Sequence, residues 1–371
     1  MIYSIAANRP PAPRLQKALL HFVRCSSVSN SEFSDLLFPD WFLPVIKAGP
    51  EGKGLRANFQ SVYEQIRELS PNKRRQFLDH FDNHNSIQEL CENPSFKFRK
   101  LAIFPQTLKD AFYKLTGHLY DNTLRDGKTC GKIFGYDKAC IPWHYERFRK
   151  RFIVCPFCGL MDYPTRSAQY DHYLYREEYP LSAANGRNLT PICERCNAAG
   201  VKGTTNVLFK SNGTRRPSFY PYGHTSGVTV ECACKEPDRI TRNPEWSVKI
   251  MPNAPQLESK KVESWVEIFR IKDRYSEFLK TDGWKWLESE LFNWMKSSTF
   301  GGTVSLRRHL KEQAAFHKKN IAKIEKAIIK HPFFEYWSTV PKSVLNGVIT
   351  NSQTDFGAAV LQRGVKTFRF N

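Results

Sequence analysis

Two Cys-x-x-Cys pairs, Cys155-Pro156-Phe157-Cys158 and Cys193-Glu194-Arg195-Cys196, carry the most recognisable chemistry in the chain. Within each pair the thiolates sit about a turn apart, and Gly159 lets the backbone amides after the first pair curl toward the sulfurs. Four thiolates fill the tetrahedral shell of Zn²⁺ and leave no open position, so the ion they imply is structural. A 34-residue gap separates Cys158 from Cys193, longer than a single ribbon requires, and something is therefore inserted between the pairs.

The insert reads Gln169-Tyr170-Asp171-His172-Tyr173-Leu174, then Tyr179-Pro180-Leu181, then Gly186-Arg187-Asn188-Leu189-Thr190-Pro191, with Asn197 just past the last cysteine. A strand, a loop, a second strand and a helix entered near the second pair would gather Asp171, His172 and Asn197 around one point. That set suits phosphodiester hydrolysis, which needs a base to activate water and a divalent cation to neutralise the phosphate. A neutral His serves as base near pH 7. Carboxylate and amide oxygens are hard ligands appropriate to Mg²⁺ or Mn²⁺.

In these residues the run from Cys155 to Gly203 resembles the H-N-H branch of the His-Me finger endonucleases, in the form whose C-x-x-C pairs flank a ββα element. The resemblance implies that Asp171 is a metal ligand and His172 the general base. It implies that Asn188 fastens the loop through backbone hydrogen bonds. Asn197 stands at the last motif position, often His in that family, which makes this an H-N-N variant with Asn197 as a metal ligand. The likeness covers about fifty to seventy residues, and its parts occur in the expected order.

Cations crowd the motif. Arg187 precedes Asn188, and Lys202, Lys210, Arg215 and Arg216 follow it. Arg187, Lys202, Arg215 and Arg216 are the candidates for holding a nucleic-acid backbone, since arginine grips phosphate through paired hydrogen bonds and lysine acts as a point charge. Phe219-Tyr220-Pro221-Tyr222-Gly223-His224 reads as a packing segment. Cys130, Cys140, His144, Cys232 and Cys234 leave a second metal site open, though their spacing is irregular. His80, His84 and His118 read as packed or solvated side chains rather than ligands.

The elements that must position this set are α+β: a zinc-clamped ββα-metal nuclease core flanked by N- and C-terminal helical units. Residues 1–56 read as a basic segment, a flexible arm or ordinary start. Residues 57–150 read as a helical unit with a connector from Asp126 to Cys140. Helical spacing of Val62, Ile66 and Leu69, and of Leu108, Phe112, Leu115 and Leu119, supports the unit. Residues 151–256 form the nuclease core, extended by strands around Val228-Thr229-Val230 and Trp246 to Ile250. Residues 257–340 form a basic helical unit in which Trp265, Phe269, Trp284, Trp286 and Trp294 belong to the core, and 341–371 a tail.

With 56 Lys+Arg against 36 Asp+Glu, the formal charge of +20 makes a polyanion the natural partner, DNA foremost among nucleic acids. No apolar run approaches the roughly 18–20 residues that cross a bilayer, so a membrane partner is not expected. Cysteine usage fits a reducing, cytoplasmic location. A second class of reading is a zinc-ribbon module that binds nucleic acid without cutting it. A third is a nuclease effector of an antiphage defence system, gated by a regulatory protein such as an ATPase.

Overall fold

The computed structural model describes residues 1–6, 13–48, 54–134, 139–161, 170–225, 227–235, 244–253, 257–296 and 302–350. Gln169, Pro10, Pro11, Pro255, Gly301 and the tail beyond residue 350 lie outside them. The described chain mixes helices with two small antiparallel sheets and divides into two compact units. The first comprises residues 1–158, 162–227 and 254–269. The second comprises 159–161, 228–253 and 270 onward. None of the described helices is long and apolar enough to cross a membrane.

The first unit begins with helices. Helix α1 (Pro13–Val28) turns Leu15, Ala18, Leu19, Phe22 and Val23 inward and leaves Lys17, His21 and Arg24 outside. The basic start of the chain is therefore a packed amphipathic helix rather than an arm. Ahead of it, the Ile2 and Ile5 amides donate to the Pro156 and Pro221 carbonyls. After the short α2 (Leu43–Ile46), α3 (Gly54–Arg67) buries Leu55, Phe59, Val62, Tyr63 and Ile66, a single stripe at helical spacing. Helix α4 (Pro71–Asn85) starts with Pro71 in its first turn and the Ser70 hydroxyl accepting from the Lys73 amide. Helices α5 (Ile87–Glu92) and α6 (Gln106–His118) follow, with α6 packed on α3 and α1 on α4.

Helix α6 runs into a wider turn, Leu119–Thr123, closed by the Leu124 amide on the Leu119 carbonyl five residues back. The segment expected as a connector contains helix α7 (Gly127–Phe134), and α8 (Cys140–Arg151) follows. Strand β1 (Tyr170–His172) pairs antiparallel with β2 (Leu189–Pro191), His172 opposite Leu189 and Asp171 opposite Thr190. Helix α9 (Glu194–Asn197) comes next and is only one turn long.

Strands β3 (Val228–Cys234) and β4 (Trp246–Pro252) form a sheet of their own and do not extend β1–β2. They belong to the second unit, with α11 (Ile271–Met295), α12 (Gly302–Lys319) and α13 (Ala327–Thr339). Their apolar alternation identified a buried face; its partners are Leu279, Leu291, Leu310, Phe333 and Trp337, around Cys232, Cys234 and Trp246. Trp294 lies in this core, with Trp284 and Trp286 packed against it. Helix α10 (Leu257–Ile268), although adjacent in sequence to α11, clusters with the first unit.

Candidate active site and metal centre

The four cysteines of the two pairs are buried, and their sulfurs all lie within 4.8 Å of one another. Cys155 and Cys196 are 3.9 Å apart and Cys158 and Cys193 3.7 Å. A tetrahedral ion with Zn–S bonds of about 2.3 Å places its sulfurs roughly 3.8 Å apart, so the cage has the right size. Burial first, and the neighbouring sulfurs next, push the Cys155 and Cys196 thiols well above the ordinary thiol range. Buried thiols raised in this way lose their protons together only when a cation takes their place. The cluster could thus hold a structural, thiophilic metal such as zinc.

Local structure builds it. Gly159 adopts φ +63°, the left-handed backbone that reverses the chain after the first pair. Cys193 caps α9, its carbonyl accepting from the Cys196 and Asn197 amides. Behind the first pair, the Trp265 indole of α10 donates to the Phe157 carbonyl at 2.7 Å, and Phe269 stacks on the Phe157 ring at 4.8 Å. Trp265 and Phe269 are core residues, as their spacing suggested.

Asn188 makes the contacts a loop fastener needs. Its Nδ2 donates to the Leu174 carbonyl at 2.9 Å, its Oδ1 accepts from the Leu174 amide at 2.7 Å, and its own carbonyl accepts from the Tyr173 amide. All of this is buried, where an unmade backbone hydrogen bond is expensive. The loop leaving β1 is consequently fixed at the residues directly after His172.

His172 is half-buried, and the Ala183 backbone hydrogen-bonds its ring while Nε2 is occluded and without a hydrogen-bond partner. Tyr120 lies against the imidazole at a centroid distance of 4.5 Å. Burial, then the charges of Lys202 and Arg176, push its pKa down to about 3, so the ring is neutral at pH 7. Asp171 is buried, with Oδ2 2.5 Å from Lys202 Nζ; desolvation outweighs that ion pair and raises its carboxyl above the usual range. Lys202 Nζ also donates to the His172 carbonyl at 2.6 Å. The Lys202 amide donates to the Cys196 carbonyl; Asn197, next in the chain, is half-buried, and among the described residues no hydrogen bond joins its side chain to Asp171 or His172.

Three of the four expected phosphate-holding cations have other work. Lys202 is 0% exposed, because a buried carboxylate needs a counter-charge. Arg216 is 4% exposed and binds Glu267 and the Asn206 carbonyl. Arg215 gives its guanidinium to the carbonyls of Leu208, Arg216 and Leu90. The planar fork of arginine satisfies several loop carbonyls at once, which is why these two sit inside irregular backbone. Arg187 is exposed, and Lys210 pairs weakly with Glu267 at the surface.

The residues suggested for a second metal site have separate roles. Cys130 and Cys140 pair with each other as a disulfide, with Cα atoms 6.0 Å apart, instead of contributing to a metal site. His144 hydrogen-bonds the Tyr170 hydroxyl, and Cys232 and Cys234 face the core of the second unit. Among the described residues, the Cys155 cluster is the only group of three or more Cys, His, Asp or Glu placed to share an ion. Tyr222 is buried with its hydroxyl on the Leu189 carbonyl, whereas His224 is exposed. His84 is buried and hydrogen-bonded to the Arg99 carbonyl, and His80 to the Gln76 carbonyl.

Sequence reasoning did not single out Tyr120, Arg125 or Arg176. Arg125 donates to the Tyr120 hydroxyl at 3.0 Å, and Arg176 to the Tyr113 hydroxyl at 2.9 Å. Arg176 follows His172 by four residues and could have been suspected from charge; Tyr120 and Arg125 lie some fifty residues earlier, with no local signal. No family model matches this sequence, and no curated protein or solved structure is significantly similar to it.

Proposed function

We propose that this chain is a metal-dependent endonuclease of the H-N-H type that hydrolyses nucleic-acid phosphodiesters, DNA foremost, with His172 as general base. The observation that supports the reading is the state of His172: a neutral imidazole, held through the Ala183 backbone, with Nε2 occluded and unpartnered beside a buried carboxylate. His84 also keeps one buried nitrogen unpartnered, so what singles out His172 is the Asp171 carboxylate and the Lys202 ammonium beside it. In this reading Nε2 removes a proton from water, the water oxygen forms a bond to phosphorus, and the bond from phosphorus to the 3′ oxygen breaks with its electron pair on that oxygen. An incoming phosphate offsets the cations around the imidazole and raises its proton affinity toward that of an effective base.

Asp171 and Asn197 offer a hard donor set suited to Mg²⁺ or Mn²⁺, and Asp171 would share its carboxylate with Lys202 or release it. When bound there, such an ion supplies charge neutralisation at the phosphate and the leaving oxygen. The Lys202 ammonium on Asp171 is also what favours the second reading, a module that binds nucleic acid without cutting, or cuts only when a partner protein rearranges the site.

The experiment is incubation of the purified protein with plasmid, single-stranded DNA and RNA, with and without Mg²⁺, beside His172→Ala. The parent should cut only with the metal, and His172→Ala should lose at least 10²-fold in rate. Equal cutting by both would remove His172 from the mechanism; binding without cutting by either would favour the second reading.

A further inference from the structure

Beside His172, the side chains from α6, the wide turn after it and the turn after β1 include no residue assigned above to substrate. Among them are two arginines, each laid on a tyrosine. Arg125 sits over the Tyr120 ring at 5.0 Å and Arg176 over the Tyr113 ring at 4.6 Å. Tyr120 itself touches the His172 imidazole. Both guanidinium charges bear on His172, where they disfavour its protonated form.

The wide turn after α6 explains the first pairing. Tyr120 and Arg125 are five residues apart, which in an α-helix places them about 140° from each other around the axis. A turn closed five residues back brings positions at that spacing onto one side. Such single-turn widenings occur often at functional sites. Arg125 is exposed, and Arg176 is a quarter exposed, with Asp121 3.5 Å from its Nη1. Arg125 commits one Nη to the Tyr120 hydroxyl, and Arg176 commits Nη2 to the Tyr113 hydroxyl and Nη1 to a long contact with Asp121; of the five N–H donors of each arginine the rest remain for an anion. Stacking on an aromatic ring holds the guanidinium plane in advance, which lowers the entropy lost when it binds an anion.

From this geometry we infer that Arg125 and Arg176 are the phosphate-binding residues of the site, gripping the nucleic-acid backbone on either side of the phosphate presented to His172. They take the role that the buried Lys202 and Arg216 and the carbonyl-bound, half-buried Arg215 do not fill. The inference rests on the nuclease reading for its substrate class, and its test is independent of cleavage.

All proteins in the test carry His172→Ala, so nothing is cut. Fluorescein-labelled duplex DNA, single-stranded DNA and single-stranded RNA are titrated by anisotropy between 50 and 200 mM salt. For the probe bound most tightly, Arg125→Ala and Arg176→Ala should each flatten the plot of log affinity against log salt by about 0.9 on duplex or about 0.7 on a single strand. Each should also weaken binding about 5- to 10-fold, on the order of 1–1.4 kcal/mol by the usual conversion. Arg125→Lys and Arg176→Lys, which keep the charge, should restore the slope, and Arg75→Ala on the exposed face of α4 should not change it. The inference is overturned if the double alanine variant binds with the parent slope, or if no probe shows salt-dependent binding to the parent. Normal slopes, together with Mg²⁺-dependent cutting by the protein that retains His172, would refute the arginine assignment and leave the nuclease reading standing; lost slopes, with no cutting by the protein that retains His172, would do the reverse.

Discussion

At the scale of single residues, Lys202 is where charge in the sequence and charge in the fold part most sharply. Its place in a basic run suggested a solvent-facing cation, yet it is fully buried between the Asp171 carboxylate and the His172 carbonyl. Removing one partner of a buried ion pair leaves the other uncompensated, and Lys202→Met should cost about 3–5 kcal/mol in urea unfolding. Adding Asp171→Asn should recover a large part of that loss; a double variant no more stable than the single one would show that Lys202 acts through packing alone. The bonds of Asn188 to Leu174, fourteen residues away, were anticipated only through the family resemblance and not from residue type or spacing. Tyr120, which touches His172, and Arg125, which is laid on Tyr120, were not anticipated, because their pairing depends on a wide turn that leaves no trace in residue type.

At the scale of elements, the cysteine cluster substitutes for secondary structure. The two strands before it have three residues each and α9 a single turn, too little backbone pairing to hold the insert by itself. Protein isolated without added metal should contain about one zinc per chain, and Cys196→Ser should lose it. Because Trp265 and Phe269 lean on the segment between Cys155 and Cys158, stripping the metal should also change the near-ultraviolet circular dichroism. Full retention of that signal in a zinc-free protein would rule out a structural ion there. Sequence spacing disclosed the cage because its ligands come in pairs three positions apart. It disclosed the β3 and β4 alternation as well, but alternation tells which face of a strand is buried and not what buries it, so the hairpin was attached to the wrong neighbours.

At the scale of the molecule, the excess of cations accompanies a stability that should fall in mild acid. His84 is buried with Nε2 donating to the Arg99 carbonyl and Nδ1 unpartnered, and burial pushes its pKa from 6.5 down to about 4. The unfolded chain therefore binds this proton more readily than the folded one. The resulting stabilisation is complete above about pH 6.5 and lost progressively toward pH 4, at up to about 1.4 kcal/mol per pH unit. Urea titrations at pH 7.5 and 5.0 should show the drop, and His84→Gln, which can still donate to Arg99, should reduce it. An unchanged pH slope in that variant would place the acid sensitivity elsewhere. Protonation adds to a chain already at +20, so self-repulsion acts in the same direction.

The two units alternate along the chain, since residues 228–253 of the second fall between the last two segments of the first. During synthesis, then, Cys196 leaves the ribosome about 70 residues before Phe269, a delay on the order of 4–15 s at usual elongation rates. For that interval the Phe157 ring and carbonyl lack the helix that covers them, and the cysteine cage has to survive without its backing. A fragment ending at residue 227 would make that transient condition permanent.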